Sequence, residues 1–204
     1  SDHMTPAYIV EPAREVVGEF DYDPCTSLFA NKLIRASTIY TAKTNGLTKH
    51  WNGRGILNPP GGLYDTELRT PVYRSSNSRQ PCTETGECGL APGGHKHQRD
   101  DIVSSAAYWW AKLVRELEAG RTRACIFIGF SLEILASAQA FECAQPLDFP
   151  LCVPRSRIKF DKLENGVRVS GAQPTHSNVI VCVTKDDKIT KKFTKVFEKL
   201  GTTR

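Results

Sequence analysis

Three groups of residues carry side chains capable of specific chemistry. The first is Asn58-Pro59-Pro60-Gly61, which ends the apolar run Gly55-Ile56-Leu57. Prolines donate no ladder hydrogen bond, so a strand leading into two of them stops there, and the residue before each is held extended. The Asn58 side-chain oxygen and the Pro59 carbonyl then offer two acceptors side by side. That pair suits a flat primary amine with two N–H donors, such as the exocyclic amine of a nucleobase. Taken alone, Asn-Pro-Pro-Gly is also the composition of a plain structural turn. The second group is Asp21-Tyr22-Asp23-Pro24-Cys25, where an acidic residue at a strand end can accept hydrogen bonds from ribose hydroxyls or an ammonium group. The third is Cys82-x5-Cys88-x6-His95-x-His97, two thiols and two imidazoles able to make a tetrahedral zinc site, though neither gap is that of a common zinc finger.

The patterning of the chain says which elements hold these groups. Residues 8–17 read as a short helix stopped by Gly18, with Pro12 delaying or disturbing its first turn. A short strand over 19–25, a helix over 27–35, a strand over 37–41 and a third strand over 55–57 follow. Residues 104–119 have the clearest helical period, with Ala107, Trp110, Val114 and Leu117 on one face and Gly120 as the stop. The nearly all-apolar run at 124–130 reads as a central strand covered on both faces, and a helix follows from Ser131 to about Phe141. Strand candidates at 149–153, 157–160, 167–170 and 178–184, then a basic helix at 190–200, close the chain. This pattern predicts an α/β fold: a mostly parallel central sheet with helices on both faces and antiparallel strands at the C-terminal edge. In such a sheet the Asp23 and Asn58 motifs open onto the same rim, where ligands bind. From about 61 to 103 the chain has few apolar residues and no sustained period, which predicts a loop insertion.

A chain of 204 residues is most simply one domain, here 5–204, with Ser1-Asp2-His3-Met4 reading as a tag remnant ahead of an initiator methionine. Hydrophobic and charged fractions of 40% and 24% are those of a soluble globular protein. No apolar run approaches the roughly 18–20 residues needed to span a bilayer, so no membrane partner is expected. Cysteines number seven, an odd count, and Cys125, Cys152 and Cys182 lie inside apolar runs. That usage points to a reducing compartment such as the cytoplasm. A net charge of +5 mildly favours a polyanionic partner.

The order of the motifs is similar to that of a known family. Thr5-Pro6…Ile9-Val10…Ala13-Arg14, Phe20-Asp21-Tyr22-Asp23-Pro24-Cys25, Gly46-Leu47…Trp51, Asn58-Pro59-Pro60 and Trp110 within a helix resemble the phage-type DNA N6-adenine methyltransferases. These belong to the amino-methyltransferases marked by an Asp/Asn-Pro-Pro-aromatic motif. The likeness covers most of the chain, most closely from Thr5 to Gly61 and more loosely through Arg157-Ile158-Lys159-Phe160. It implies a Rossmann-like methyltransferase fold, S-adenosylmethionine as cofactor, DNA as partner, and methyl transfer to the N6 amine of adenine. The resemblance assigns catalysis to Asn58, Pro59 and Pro60, and the cofactor to Thr5, Pro6, Tyr8, Asp21, Asp23, Pro24 and Cys25 beside Asn58. Gly61, Tyr64, Trp110 and Arg157 are the candidates for holding the substrate. Two departures stand out. The family's Asp-Pro-Phe and glycine-rich continuation are Asp23-Pro24-Cys25-Thr26-Ser27 here, and the aromatic residue after the prolines, which stacks on the extruded base, is Gly61. Tyr64, Trp109 and Trp110 are the sequence's candidates for the missing ring. Cytosine N4 or an RNA adenine would suit the same amine geometry. A non-catalytic nucleic-acid-binding relative, with zinc in the insertion, is the reading from another class.

Overall fold

The computed structural model describes residues 4–72, 79–81, 96–98, 101–171 and 176–204. Its strands in chain order are β1 (Tyr22–Asp23), β2 (Thr38–Ile39), β3 (Gly53–Leu57), β4 (Leu63–Asp65), β5 (Thr70–Val72), β6 (Arg79–Pro81) and β7 (Lys96–Gln98). There follow β8 (Ile102–Ser104), β9 (Thr122–Phe130), β10 (Leu151–Pro154), β11 (Asp161–Glu164), β12 (Val167–Ser170), β13 (Asn178–Thr184) and β14 (Gly201–Thr203). The helices are α1 (Ala7–Val17), α2 (Leu28–Ile34), α3 (Ser105–Glu118), α4 (Ser131–Ser137) and α5 (Asp187–Phe197).

Seven strands form the main sheet in the order β2-β1-β3-β9-β13-β10-β14. Pairing is parallel from β2 through β1 and β3 to β9, and antiparallel from β9 through β13 and β10 to β14. The sheet is therefore mixed rather than mostly parallel. The fold is α/β, and β9 is its centre. Ala124, Cys125, Ile126, Phe127 and Ile128 are all buried, alternating between two apolar layers. Ile126 and Ile128 face α1, α2 and α5, whereas Cys125 and Phe127 face α3 and α4. Burying each large apolar side chain contributes about 1.5–3 kcal/mol. The cysteines in these layers act as small hydrophobes: burial pushes the Cys152 thiol up to about 11 and Cys182 up to about 12.

Local chemistry explains where the elements begin and stop. The Ser27 side chain accepts the Ala30 amide at 3.1 Å to start α2, which ends where Arg35 turns left-handed at φ 57°. Ser104 caps α3 in the same way, and its Ala107, Trp110, Val114 and Leu117 are buried on the sheet side as their spacing predicts. Asp186 caps α5 by accepting the Lys188 amide at 2.8 Å.

Three expectations are corrected. Pro12 lies within α1, which starts at Ala7 and runs through it. The described residues within 61–103 are not all loop: β5, β4 and β8 form a three-stranded antiparallel sheet, and β6 pairs antiparallel with β7. Residues 157–160 make no strand; the chain becomes extended again only at β11, which pairs with β12. Met4 is buried and exchanges backbone hydrogen bonds with Asp161 at 2.9 and 2.8 Å. No helix among the described residues is long and apolar enough to cross a membrane.

Candidate functional site

The C-terminal ends of the parallel strands form one rim of the sheet. At the end of β1, Asp23 is 3% exposed, and its Oδ1 accepts the Cys25 amide at 3.0 Å. Burial pushes this carboxyl up to about 7, against the smaller opposing effect of hydrogen bonds from the Cys25 amide and the Thr26 side chain. The next residue, Pro24, is pinned from below. A Cβ on Gly46 would lie 2.0 Å from the Pro24 carbonyl oxygen, so the turn at Gly46–Thr48 can approach only because residue 46 has no side chain. Trp51 donates from Nε1 to the Gly46 carbonyl at 2.9 Å and so holds that turn in place. The spacing from Asp23-Pro24-Cys25 through Gly46 to Trp51 thus has a physical basis in this fold.

At the end of β3, Asn58 and Pro59 are half-buried, and Pro60 and Gly61 are exposed. Alternation assigns faces to the rim residues. Ile56 lies on the α1 side and Leu57 on the α3 side, so one further step puts Asn58 on the α1 side. Tyr22 packs on the α3 side, which puts Asp23, opposite Ile39 in register, on the α1 side as well. Thr5 and Pro6, both buried, lead into the start of α1 on that face. Asp23, Asn58 and the Thr5-Pro6 segment, far apart in the chain, therefore share one rim and one face.

Other residues singled out from the sequence lie elsewhere. Asp21 precedes β1, at the opposite end of the strand from the rim, and its Oδ2 accepts the Arg54 backbone amide at 2.8 Å. Trp110 is wholly buried, donates from Nε1 to the Ala144 carbonyl at 2.9 Å, and packs edge-on against Phe127 and Phe149, so it is a core residue with no ring face open to a base. Tyr64 is 4% exposed and stacked on Tyr108 with ring centroids 4.6 Å apart; burial also raises its phenol pKa. Trp109 is stacked on Trp51. Tyr8 and Arg157 line a cleft of about 780 Å³ on the flank of the rim, with Pro6, Arg155, Lys159 and Lys199. There the Tyr8 hydroxyl accepts the Lys159 amide at 3.0 Å. Neither Asp23 nor Asn58 lines this cleft. Cys82, Cys88 and His95 lie outside the described residues, as does the side chain of His97. Among the described residues no group of three or more His, Cys, Asp or Glu is arranged to hold a metal ion.

Two residues at the rim went unnoticed in the sequence. Phe130, half-exposed at the end of β9, has Cε2 3.4 Å from the position a Cβ on Gly61 would take. Asn178 opposes it in register on β13, is 3% exposed, and donates from Nδ2 to the Gly129 carbonyl at 3.4 Å. Among the described residues the Asn178 Oδ1 has no hydrogen-bond partner. The only available signals were a polar residue opening the apolar run 179–183 and an aromatic residue closing the run 124–130.

The rim suits a ligand with a positive group and hydroxyls. Asp23 is a buried acceptor whose ionised form a nearby cation would stabilise. Compared with known proteins, the chain matches no family model, no curated protein and no solved structure.

Proposed function

We propose that this protein is an S-adenosylmethionine-dependent methyltransferase of Rossmann-like fold, acting on the N6 amine of adenine in DNA. The observation that carries this reading is the convergence of Asn58-Pro59-Pro60 and buried Asp23 on one rim and one face of the sheet, with Thr5 and Pro6 on that same face. S-adenosylmethionine supplies an electrophilic methyl group on its sulfonium. Asp23, with the segment Thr5-Pro6 and the Pro24-Cys25 backbone, would hold it.

The work left to the chain is positioning. The lone pair of an exocyclic nucleobase amine is delocalised into the ring and is a poor nucleophile. Asn58 Oδ1 and the Pro59 carbonyl, each accepting one N–H, draw the amine toward the pyramidal geometry of the transition state. These bonds strengthen as the nitrogen becomes positive, which lowers the barrier rather than merely binding the substrate. The double proline keeps both acceptors fixed before substrate arrives, so little ordering remains for the reactive encounter. A base in a duplex must first be extruded, at about a few kcal/mol. The cationic flank formed by Arg155, Arg157, Lys159 and Lys199 would contact the phosphates on either side.

Incubation with labelled cofactor and mixed DNA and RNA, followed by nucleoside identification, tests the reading. We expect N6-methyladenine from DNA, and Asn58→Ala should lower transfer at least about 100-fold while the protein stays folded. N4-methylcytosine, or methyladenine only from RNA, would keep the enzyme and change its acceptor. Absence of cofactor binding by calorimetry would exclude it.

A further inference from the structure

We infer that Phe130 is the ring on which the extruded base stacks, in the place that Gly61 leaves open; this rests on the amine-methylation reading above. β9 runs on beyond β3, with Leu57 opposite Phe127 in register, so residue 130 lies abreast of the Pro60-Gly61 segment. The alternation that puts Ile126 and Ile128 on the α1 side puts Phe130 there too, the side assigned to Asn58. The Phe130 ring already touches the space above Gly61: its Cε2 stands 3.4 Å from where a Cβ at residue 61 would be. A Cβ on residue 61 would stand in van der Waals contact with the Phe130 ring, so an aromatic side chain there and the Phe130 ring would border the same space. Gly61 lacks a positive φ, which means that nothing in its backbone requires glycine there.

The ring is also available. Phe130 is half-exposed, and its neighbour His176 meets it edge-on at 5.4 Å and 62° rather than covering it face to face. Tyr64, Trp109 and Trp110 are each buried, the first two stacked on other rings. A base seated against Phe130 would have its exocyclic amine toward the adjacent strand end, where Asn58 and Pro59 provide the acceptors. Since every base has a π face, Phe130 would hold the base without selecting it, leaving selection to the amine clamp.

The test compares wild type with Phe130→Ala, Phe130→Leu, Phe130→Tyr, and Phe130→Ala combined with Gly61→Tyr. Measurements are KM and kcat for labelled methyl transfer, the melting temperature of each protein, and the fluorescence of an adenine analogue that brightens on extrusion and dims on stacking. Phe130→Ala should lose about 5- to 150-fold in kcat/KM. Phe130→Leu, which keeps apolar bulk but no π face, should also lose activity, whereas Phe130→Tyr should stay near wild type. Adding Gly61→Tyr to Phe130→Ala should restore activity and analogue quenching. Wild-type kinetics in a folded Phe130→Ala or Phe130→Leu protein would overturn the inference, as would equal losses in Phe130→Tyr and Phe130→Ala. If the wild-type protein methylates neither DNA nor RNA, the amine-methylation reading falls first and this inference with it.

Discussion

Asp23 is the residue on which pH should act most visibly. Its carboxyl sits at about 7 in the folded chain, against an ordinary value of 3.8, because burial disfavours the charge. Below pH 3.8 the folded and unfolded chains are both protonated there, and the group costs nothing. As pH rises toward 7 the unfolded chain gains more from ionising, so the stability Asp23 supports is progressively lost, with the full loss above about 7. Without ligand, the melting temperature of wild type should therefore fall more steeply between pH 4 and pH 8 than that of Asp23→Asn. An identical pH dependence in the two proteins would remove the argument. Under the proposed function, binding of S-adenosylmethionine should tighten as pH rises through about 7, because its positive groups favour the ionised carboxylate. Asp23→Asn should abolish that pH dependence in a calorimetric titration.

Among elements, β3 matters most because it carries Asn58, and a buried network holds its beginning. Glu116 of α3 has a side chain only 1% exposed, yet it accepts hydrogen bonds from Lys112, Arg121 and the Trp51 amide. Burial raises its pKa, but those donors outweigh burial and hold the carboxyl at about 2. Trp51 leads directly into β3; its carbonyl accepts the Thr122 hydroxyl at 3.1 Å, and Thr122 also pairs with the Tyr22 hydroxyl at 3.0 Å. The network therefore ties α3 to the starts of β3 and β9 and to β1. Glu116→Ala should cost about 2–3 kcal/mol in chemical denaturation at neutral pH, below the range for a wholly buried pair because Arg121 is a third exposed. The contribution of Glu116 in wild type should persist above pH 4.5 and disappear as pH falls through about 2. A cost under about 0.5 kcal/mol would show that the pairing stabilises little. At this scale the sequence also showed its limits. The α3 period was readable because its apolar face repeats over four turns. The short strands between 61 and 104 were not, because three-residue strands lack enough positions to show a period.

At the level of the whole molecule, two distant segments bring cations to one flank and a third lines it. The segment after β10 supplies Arg155, Arg157 and Lys159, the end of the last helical stretch supplies Lys199, and the start of α1 forms the wall between them. Arg155 is partly committed, donating to the Glu198 and Lys199 carbonyls at 3.3 and 3.4 Å and so capping the end of that helical stretch. Lys159 and Lys199 are the better probes. Under the proposed function, the double substitution Lys159→Ala, Lys199→Ala should weaken binding to duplex DNA uniformly across sequences. It should also reduce the slope of log K against log salt by about 2. An unchanged slope would place the phosphates on another surface.

What the amino-acid sequence determined by itself was mostly local. Prolines at 59 and 60 must end a strand, an apolar run at 124–130 must be covered on both faces, and an alternation of strands and helices must build an α/β sheet. These follow from backbone sterics and apolar periodicity, which act between near neighbours. Tertiary structure decided which of the chemically capable residues meet. It brought Asp23 and Asn58 to one rim, kept Asp21 at the strand's other end, and closed the core around Trp110. It also carried Phe130 from a strand more than sixty residues away to within van der Waals reach of Gly61. No local rule could anticipate that pairing, because it depends on the register between β3 and β9, which is set by the packing of both faces of the sheet at once.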